Sequence, residues 1–572
     1  MNGMRDERAG GLRSGAMLHW LLIVVPLLFL IIFYFYPLAK IVRLSFLPDG
    51  FWQPNQLSQI FHSPVFGRII WFTIWQAALS TVLTLAVALP GAYVFARYRF
   101  PGKNLLQALT TVPFVLPTVV TGAAFTALLG KNGLVNSWLI AAFHLENAPI
   151  ELDQTVTFFL LAHVFYNYAL VLRIVGGYWS GLDHSLSAAA RMLGASPWQT
   201  FRRVTLPLIL PAVGSASLLV FIFCFTSFGV VLILGGPGYS TIEVEIYRQA
   251  VQLFNLPMAA VLSLVQIGIN FLLMYCYARL DRKTASGLYS ATAFGEAAFP
   301  VTGGQKLLVG GNVLFMLLLM VTPLLALMIR SCVGEDGLTF AFYHALFASQ
   351  GSSVFFVEPI AAVKNSVGFG IAAMVIAVVL GLLSATFIAS GSGRERSLWD
   401  ALIMLPLATS AVTLGFGYII TLNRPPFNLR DSMALVPIAH ALVAFPFVIR
   451  CILPSIRQIP QSLREAASLL GASPWAVWRK VDLPIMTRAI IVGAVFAFSI
   501  SMGEFGASTF VTRPHTPTMP VAIFRFLGQP GEMNYGQAMA MSTILMLVTC
   551  SGFWLLGTFD SSQNSSIKKQ SG

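Results

Sequence analysis

Charge is what this sequence has least of. Asp, Glu, Lys and Arg make up 10% of its 572 residues while 56% are hydrophobic, against about 25% charge in a soluble domain. The mean hydropathy is +0.77. These values exclude an ordinary water-soluble fold and predict an all-α integral membrane protein. Cysteine is also sparse. Cys224, Cys276, Cys332, Cys451 and Cys550 show no CxxC spacing, so neither a disulfide framework nor a zinc site is expected. Four of them fall inside apolar runs, as buried thiols would. No Gly-x-x-x-x-Gly-Lys-[Ser/Thr] stretch occurs, so the chain has no P-loop with which to cradle ATP. No cluster of His, Asp or Cys at a span end has metal or nucleophile spacing, which argues against a membrane enzyme. The net charge is +13, yet no basic patch with interleaved aromatics appears, so nucleic acid is not an expected partner.

What the sequence does have is a series of apolar runs. A helix crossing a bilayer needs about 20 apolar residues, and twelve stretches qualify, near 19–42, 69–96, 104–130, 155–179, 207–235, 255–279, 306–331, 362–390, 398–422, 432–456, 484–512 and 535–559. The first run is too long for a signal-peptide core and lacks a small-residue cleavage site, so it reads as a retained span. Residues 1–18 then form an N-terminal tail, 281–305 a polar linker between two halves, 19–280 and 306–560, and 561–572 a C-terminal tail. Lys and Arg concentrate in alternate loops, including Arg97, Arg99 and Lys103, then Arg279, Arg282 and Lys283, then Arg394 and Arg396. The positive-inside rule therefore predicts a multi-pass membrane protein with both termini in the cytoplasm.

Two polar islands interrupt this pattern, and they are copies of each other. Ser187–Pro207 reads SAAARMLGASPWQTFRRVTLP and Arg464–Pro484 reads REAASLLGASPWAVWRKVDLP. Gly194 aligns with Gly471, an offset of 277 (471 − 194). The same offset pairs His163 with His440, Arg173 with Arg450, and Phe228-Gly229 with Phe505-Gly506; upstream an offset of 293 pairs Ala92 with Ala385 and Pro113 with Pro406. The first half thus carries 16 extra residues (293 − 277), in the outer loop after its third span. Each copy has an even number of spans, so both insert the same way up, which predicts parallel repeats about an axis along the membrane normal.

Each island, within 183–206 and 460–483, reads as helix, turn, helix. In the second, Ser462 stands three residues before Glu465, a capping-box spacing. Gly471 suits the left-handed residue that closes a helix. Ser473 then caps a second helix with Pro474 at its first position, and Leu483 before Pro484 ends it. Ser185, Gly194, Ser196, Pro197 and Pro207 repeat the scheme. Trp198 with Arg202 and Arg203, and Trp475 with Arg479 and Lys480, make each second helix a knob suited to a partner's socket. An interfacial amphipathic helix with Trp and Arg among headgroups is the alternative for one island alone; two equivalent copies favour the knob.

This pattern resembles the EAA loop of permease subunits of ATP-binding-cassette importers with the type I, MetI-like fold. Glu465, Ala466, Ala467 and Gly471 match it fully; the first copy has Ala188 in place of Glu, then Ala189, Ala190 and Gly194. A single chain with both halves, together with Phe225-Thr226-Ser227-Phe228-Gly229, Leu234-Gly235-Gly236, Thr241-Ile242-Glu243 and Ser501-Met502-Gly503-Glu504-Phe505-Gly506, is similar to the fused permeases of ferric-iron and thiamine uptake. The resemblance implies that Ala188, Ala189, Gly194, Pro197, Trp198 and Arg202, with Glu465, Ala466, Gly471, Pro474, Trp475 and Arg479, couple the chain to two copies of a separate ATPase. That subunit would hold the ATP and Mg²⁺, this chain binding no cofactor of its own. It also implies an extracytoplasmic substrate-binding protein and a cargo of ferric iron or thiamine.

Within the spans, Glu504 is the most pointed residue, because a carboxylate in an apolar run is costly and faces a cavity or a partner. Its counterpart is Ser227, and Gly229 and Gly506 follow as sites for bending or close packing. These four are the candidate translocation-path residues; for Glu504 a hydrogen-bonded helix end is the competing reading. His163 and His440 are open to cation ligation across the pseudo-two-fold or to internal hydrogen bonding. Pro113, Pro117 and Pro406 mark kinks. The alternative to an ATP-driven importer is an ion- or proton-coupled secondary transporter, which requires several intramembrane ionisable groups and leaves the paired islands unexplained.

Overall fold

The computed structural model describes residues 22–48, 51, 62–289, 298–334, 337–348, 358–390, 393–423, 425 and 428–570. The tail arginines Arg5, Arg8 and Arg13 lie outside these residues. The main helices are α1 (Leu22–Phe46), α2 (Pro64–Arg97), α3 (Lys103–Val115), α4 (Thr118–Leu129), α5 (Val156–Ser180), α6 (Pro197–Phe225), α7 (Leu256–Tyr289), α8 (Gly303–Arg330), α9 (Ile360–Ser390), α10 (Ala411–Thr421), α11 (Leu435–Gln458), α12 (Pro474–Gly503) and α13 (Glu532–Gln570). Among the described residues the sole sheet is a two-residue antiparallel pair, Val333–Gly334 with Gly337–Leu338.

The helices fall on the expected apolar runs, two of which are broken. Nine helices among the described residues are long and apolar enough to cross a bilayer, or ten if one bent pair counts as a single span. The third apolar run is broken between α3 and α4. Pro117 excludes the helical conformation from the residue before it, and Leu116 is accordingly extended at φ −63° and ψ 138°. The ninth run folds back by 89° between Leu398–Ala408 and α10. Pro406 sits in a 3₁₀ turn there, and the Ser410 hydroxyl accepts from the Val412 and Thr413 N–H groups to start α10. The linker is helical at its start, since α7 continues to Tyr289. All five cysteines are free, but only Cys224 is buried; Cys276 is exposed and the other three are half-buried.

The chain forms two compact units, and they cut across the sequential halves. One comprises residues 50–348 with 523–546; the other comprises 1–49, 349–522 and 547–572. In the first unit α2, α5 and α6 pack mutually, α7 lies against α6, and α8 packs on α4 and α2. In the second unit α9, α11 and α12 form the equivalent triad, and α1 packs on α10. The opening helix of each copy is thus exchanged into the unit built on the other copy. The exchange is fixed chemically as well as by packing. The Tyr34 hydroxyl of α1 lies 2.8 Å from Thr409 Oγ1 and 3.2 Å from the Leu405 carbonyl, both at the bent turn before α10.

Between membrane helices the hydrophobic effect supplies little, and small residues let backbones approach so that dispersion can act. Gly381 of α9 faces α11 so closely that a β-carbon there would sit 2.7 Å from Val448 Cγ1. Gly368, on the same helix, has open space around it. Gly381→Leu is expected to destabilise the second unit by about 1–3 kcal/mol through overpacking. Thermal unfolding of the purified protein should register a lowered Tm for Gly381→Leu and none for Gly368→Leu.

Candidate functional site

The two islands fold almost identically. In the first, Asp183 caps the helix His184–Met192 by accepting from the Ser185 N–H at 2.8 Å. Ser185, the expected cap, instead donates its hydroxyl to Asp183. In the second, the helix Gln461–Leu469 begins after Pro460 with no side-chain cap, so the Ser462–Glu465 capping box does not form. Both helices close as expected. Gly194 and Gly471 have φ +85° and +82°, a conformation open to glycine at little cost. The Gly194 N–H donates to the Arg191 carbonyl and the Ala195 N–H to that of Ala190; Gly471 and Ala472 donate likewise to Ser468 and Ala467. This is the paired closure that uses up carbonyls left over at a helix end.

Ser196 and Ser473 then cap the second helices, with Pro197 and Pro474 at N1. In the first copy Gln199 completes a capping box with Ser196. These helices do not stop at Leu206 and Leu483. They run on into the spans through one π-helical turn, Phe201–Thr205 and Trp478–Asp482. A proline in a regular α-helix removes one hydrogen bond and crowds the carbonyl four residues back. The wider turn ahead of Pro207 and Pro484 relieves this, and it makes each island helix and its membrane span one rigid lever.

What the islands present is unusual for polar segments. Met192, Leu193, Leu469 and Leu470 are each 89% exposed, and Trp198 and Trp475 are 67% and 65% exposed. Ala188, Ala189, Glu465 and Ala466 are exposed, as are Arg202, Arg203, Arg479 and Lys480. Each island thus exposes two adjacent apolar side chains, an indole and two cations. Each indole is held by stacking: Trp198 on Phe201 at 5.8 Å and Trp475 on Trp478 at 4.8 Å.

The path candidates lie where α6 and α12 end. In the first unit α6 stops at Phe225, and the chain turns through Ser227 before the short helix Gly229–Leu234. His163 of α5 spans the turn, with Nδ1 2.9 Å from Ser80 Oγ and Nε2 2.9 Å from Ser227 Oγ. The Gln76 amide donates to the Cys224 carbonyl at 2.8 Å. In the second unit Glu504 ends α12 and is buried. Its carboxylate accepts from the Ala507 and Ser508 N–H groups at 2.9 and 3.0 Å. His440 Nδ1 is 2.7 Å from Ser501 Oγ and Nε2 is 2.8 Å from Ser508 Oγ. Both imidazoles are hydrogen-bonded to serines, His440 Nε2 lying also 3.4 Å from Glu504 Oε2, and among the described residues no group of three or more His, Cys, Asp or Glu is placed to hold a metal. Gly229 is buried, and Gly506 packs against Ala411 and Val412 at the start of α10. Sequence reasoning missed Ser80, Gln76, Ser501 and Ser508; their signal was a polar side chain inside an apolar run.

Two membrane-embedded copies, each ending one lever in an exposed apolar knob, define a duplicated permease scaffold. Residues 88–286 and 377–563 each match the family of binding-protein-dependent transport system inner membrane components, and the chain belongs to that family. It is the membrane-spanning permease subunit of an importer of the ATP-binding-cassette class, and the secondary-transporter alternative is not supported. Its relatives include the thiamine transport system permease protein ThiP of Salmonella typhimurium, 26% identical over 516 residues, or 88% of this chain and 90% of that one. ThiP of Brucella abortus is 28% identical over 471 residues (81% and 82%), and ThiP of Haemophilus influenzae 25% over 530 (92% and 93%).

Glu504→Ala removes the acceptor of two buried N–H groups, each costing about 1–3 kcal/mol when unsatisfied. Ser227→Ala, at the equivalent position, removes one bond to His163. The Tm of purified Glu504→Ala should fall clearly further than that of Ser227→Ala.

Proposed function

We propose that this chain is the permease of a thiamine importer, driven through its two islands by a pair of ATPase subunits. The carrying observation is the pair of exposed apolar knobs, each continuous with a membrane span through a π-turn. An ATPase dimer that grips both knobs would bind ATP and Mg²⁺ itself and move the two levers together, rocking one copy against the other. In this reading Ala188, Ala189, Gly194, Pro197, Trp198 and Arg202 meet one ATPase copy, and Glu465, Ala466, Gly471, Pro474, Trp475 and Arg479 the other. Ala188 in place of Glu makes the two contacts unequal. Both termini and both islands then face the cytosol, and a binding protein delivers cargo on the opposite side.

Thiamine is favoured because relatives carrying that name align over most of their own length at 25–28% identity. None of those relatives is named for ferric iron, which the sequence alone placed beside it. The turns holding Ser227, Gly229, Glu504 and Gly506 are proposed to gate the path, since non-helical backbone at membrane depth is tolerated where it is buried or lines a cavity. Glu504 acts in that gate by holding the turn, its carboxylate being occupied by backbone N–H groups.

Uptake by proteoliposomes holding the chain, its ATPase and its binding protein tests the cargo: ATP-dependent accumulation of thiamine is expected, and accumulation of ferric iron instead would overturn the assignment. For the islands, Gly194→Pro and Gly471→Pro place at φ above +80° a residue locked near −65°. Each is expected to lower substrate-stimulated ATP hydrolysis at least tenfold while the protein stays inserted. Full stimulation in both variants would contradict the coupling role.

A further inference from the structure

A cavity of about 700 Å³ lies against the first island, within the first unit. This is the size of a ligand pocket, typically about 300–1,000 Å³. Its body is apolar, formed by residues such as Leu89, Val94 and Ile209. One wall is a ladder of rings, Tyr93 to Trp179 at 5.4 Å, Trp179 to Phe201 at 6.4 Å and Phe201 to Trp198 at 5.8 Å. Arg97 and Arg191 line it as well, and among the described residues neither is in an ion pair. The lining carboxylate, Asp183, is engaged by Ser185. Two buried polar atoms with no hydrogen-bond partner, Thr200 Oγ1 and Asn312 Oδ1, belong to lining residues.

The second copy differs at the positions that matter. Ser187 and Thr205 line the cavity; their counterparts at offset 277 are Arg464 and Asp482, which pair at 2.8 Å and tie the two island helices together. Arg191 corresponds to Ser468, and Arg97, at offset 293, to Ser390. The second island thus carries its own brace. The first has small residues where the brace would be and two cations facing a space.

We propose that this cavity is a binding site for one anionic phospholipid, whose headgroup pairs with Arg97 and Arg191 and whose acyl chain lies along the aromatic ladder. The commitment to lipid rests on charge complementarity and on access. Ala86, Pro90, Leu206 and Leu308 at the rim are exposed apolar residues of three helices, α2, α6 and α8, that pass the test for membrane spans. Hydrocarbon therefore reaches the cavity from the flank, while the cations mark where it meets headgroups. Part of the wall is the island helix itself, so the bound lipid braces the first lever as the Arg464–Asp482 pair braces the second. That consequence rests on the coupling role proposed above; the binding site does not.

The test is native mass spectrometry of the full chain released from nanodiscs of mixed phosphatidylglycerol and phosphatidylcholine. One retained phosphatidylglycerol per chain is expected. R97S/R191S, which copies the residues of the other half, should reduce its retention by roughly tenfold or more. S187R/T205D, which installs the brace, should displace it with the arginines intact. Equal retention of phosphatidylglycerol by all three proteins, or phosphatidylcholine held as well as phosphatidylglycerol by the unmodified chain, would overturn the proposal. If the retention results hold but G194P and G471P both leave ATPase stimulation intact, the lipid site stands and the coupling reading falls.

Discussion

In hydrocarbon a backbone N–H or C=O has no water to turn to, and each unsatisfied one costs several kcal/mol. This chain breaks its helices within apolar runs in both copies, and the rest of the structure answers that cost. At the end of α6 the Cys224 carbonyl receives the Gln76 amide from α2. At the end of α12 the Ala507 and Ser508 N–H groups are taken by Glu504. At the bend before α10 the Leu405 carbonyl lies within reach of the Tyr34 hydroxyl. His163 bolts Ser80 to Ser227, and His440 ties Ser501 to Ser508 across the break after α12. Several of the polar side chains placed inside apolar runs are spent on these stitches.

The duplication conserves the scaffold and varies the locks. Both copies use a histidine on the fourth span, a serine-capped island helix and a π-turn before Leu-Pro. They differ at Ser227 against Glu504, and at Ser187 and Thr205 against Arg464 and Asp482. A carboxylate that captures two N–H groups holds a turn more firmly than a lone hydroxyl. A buried helix end and an ionic brace thus both fall in the second copy. The two pseudo-equivalent levers are thus held by different contacts.

The islands were legible because their signals are local. Gly194 and Gly471, Ser196 and Ser473, Pro197 and Pro474 each do at their own positions what their backbone chemistry demands. The starts of the first island helices were misread for the same reason. Ser185 and Ser462 had capping-box or cap potential, but Asp183 competes better in one copy, and the helix begins directly after Pro460 in the other. The breaks were half legible: Pro117 and Pro406 announced them, whereas the turn after Phe225 has no proline. The partners of the two histidines were not legible, since Ser80 and His163 are 83 residues apart and His440 and Ser501 are 61, whereas those of Glu504 are local, three and four residues on. The exchange of α1 and α8 between units was invisible as well, because hydropathy marks a helix as membrane-spanning without naming the surface it packs on.

The central claim, that both islands are gripped from the cytosol by an ATP-hydrolysing partner, is tested most directly by site-specific cross-linking in membranes. With the native cysteines replaced, cysteines introduced at Leu193 and Leu470, both 89% exposed, should each form a cross-link to the ATPase subunit and react with a maleimide only from the cytosolic side. Labelling of either position from the outside, or a failure of both to cross-link in an actively transporting complex, would contradict the account.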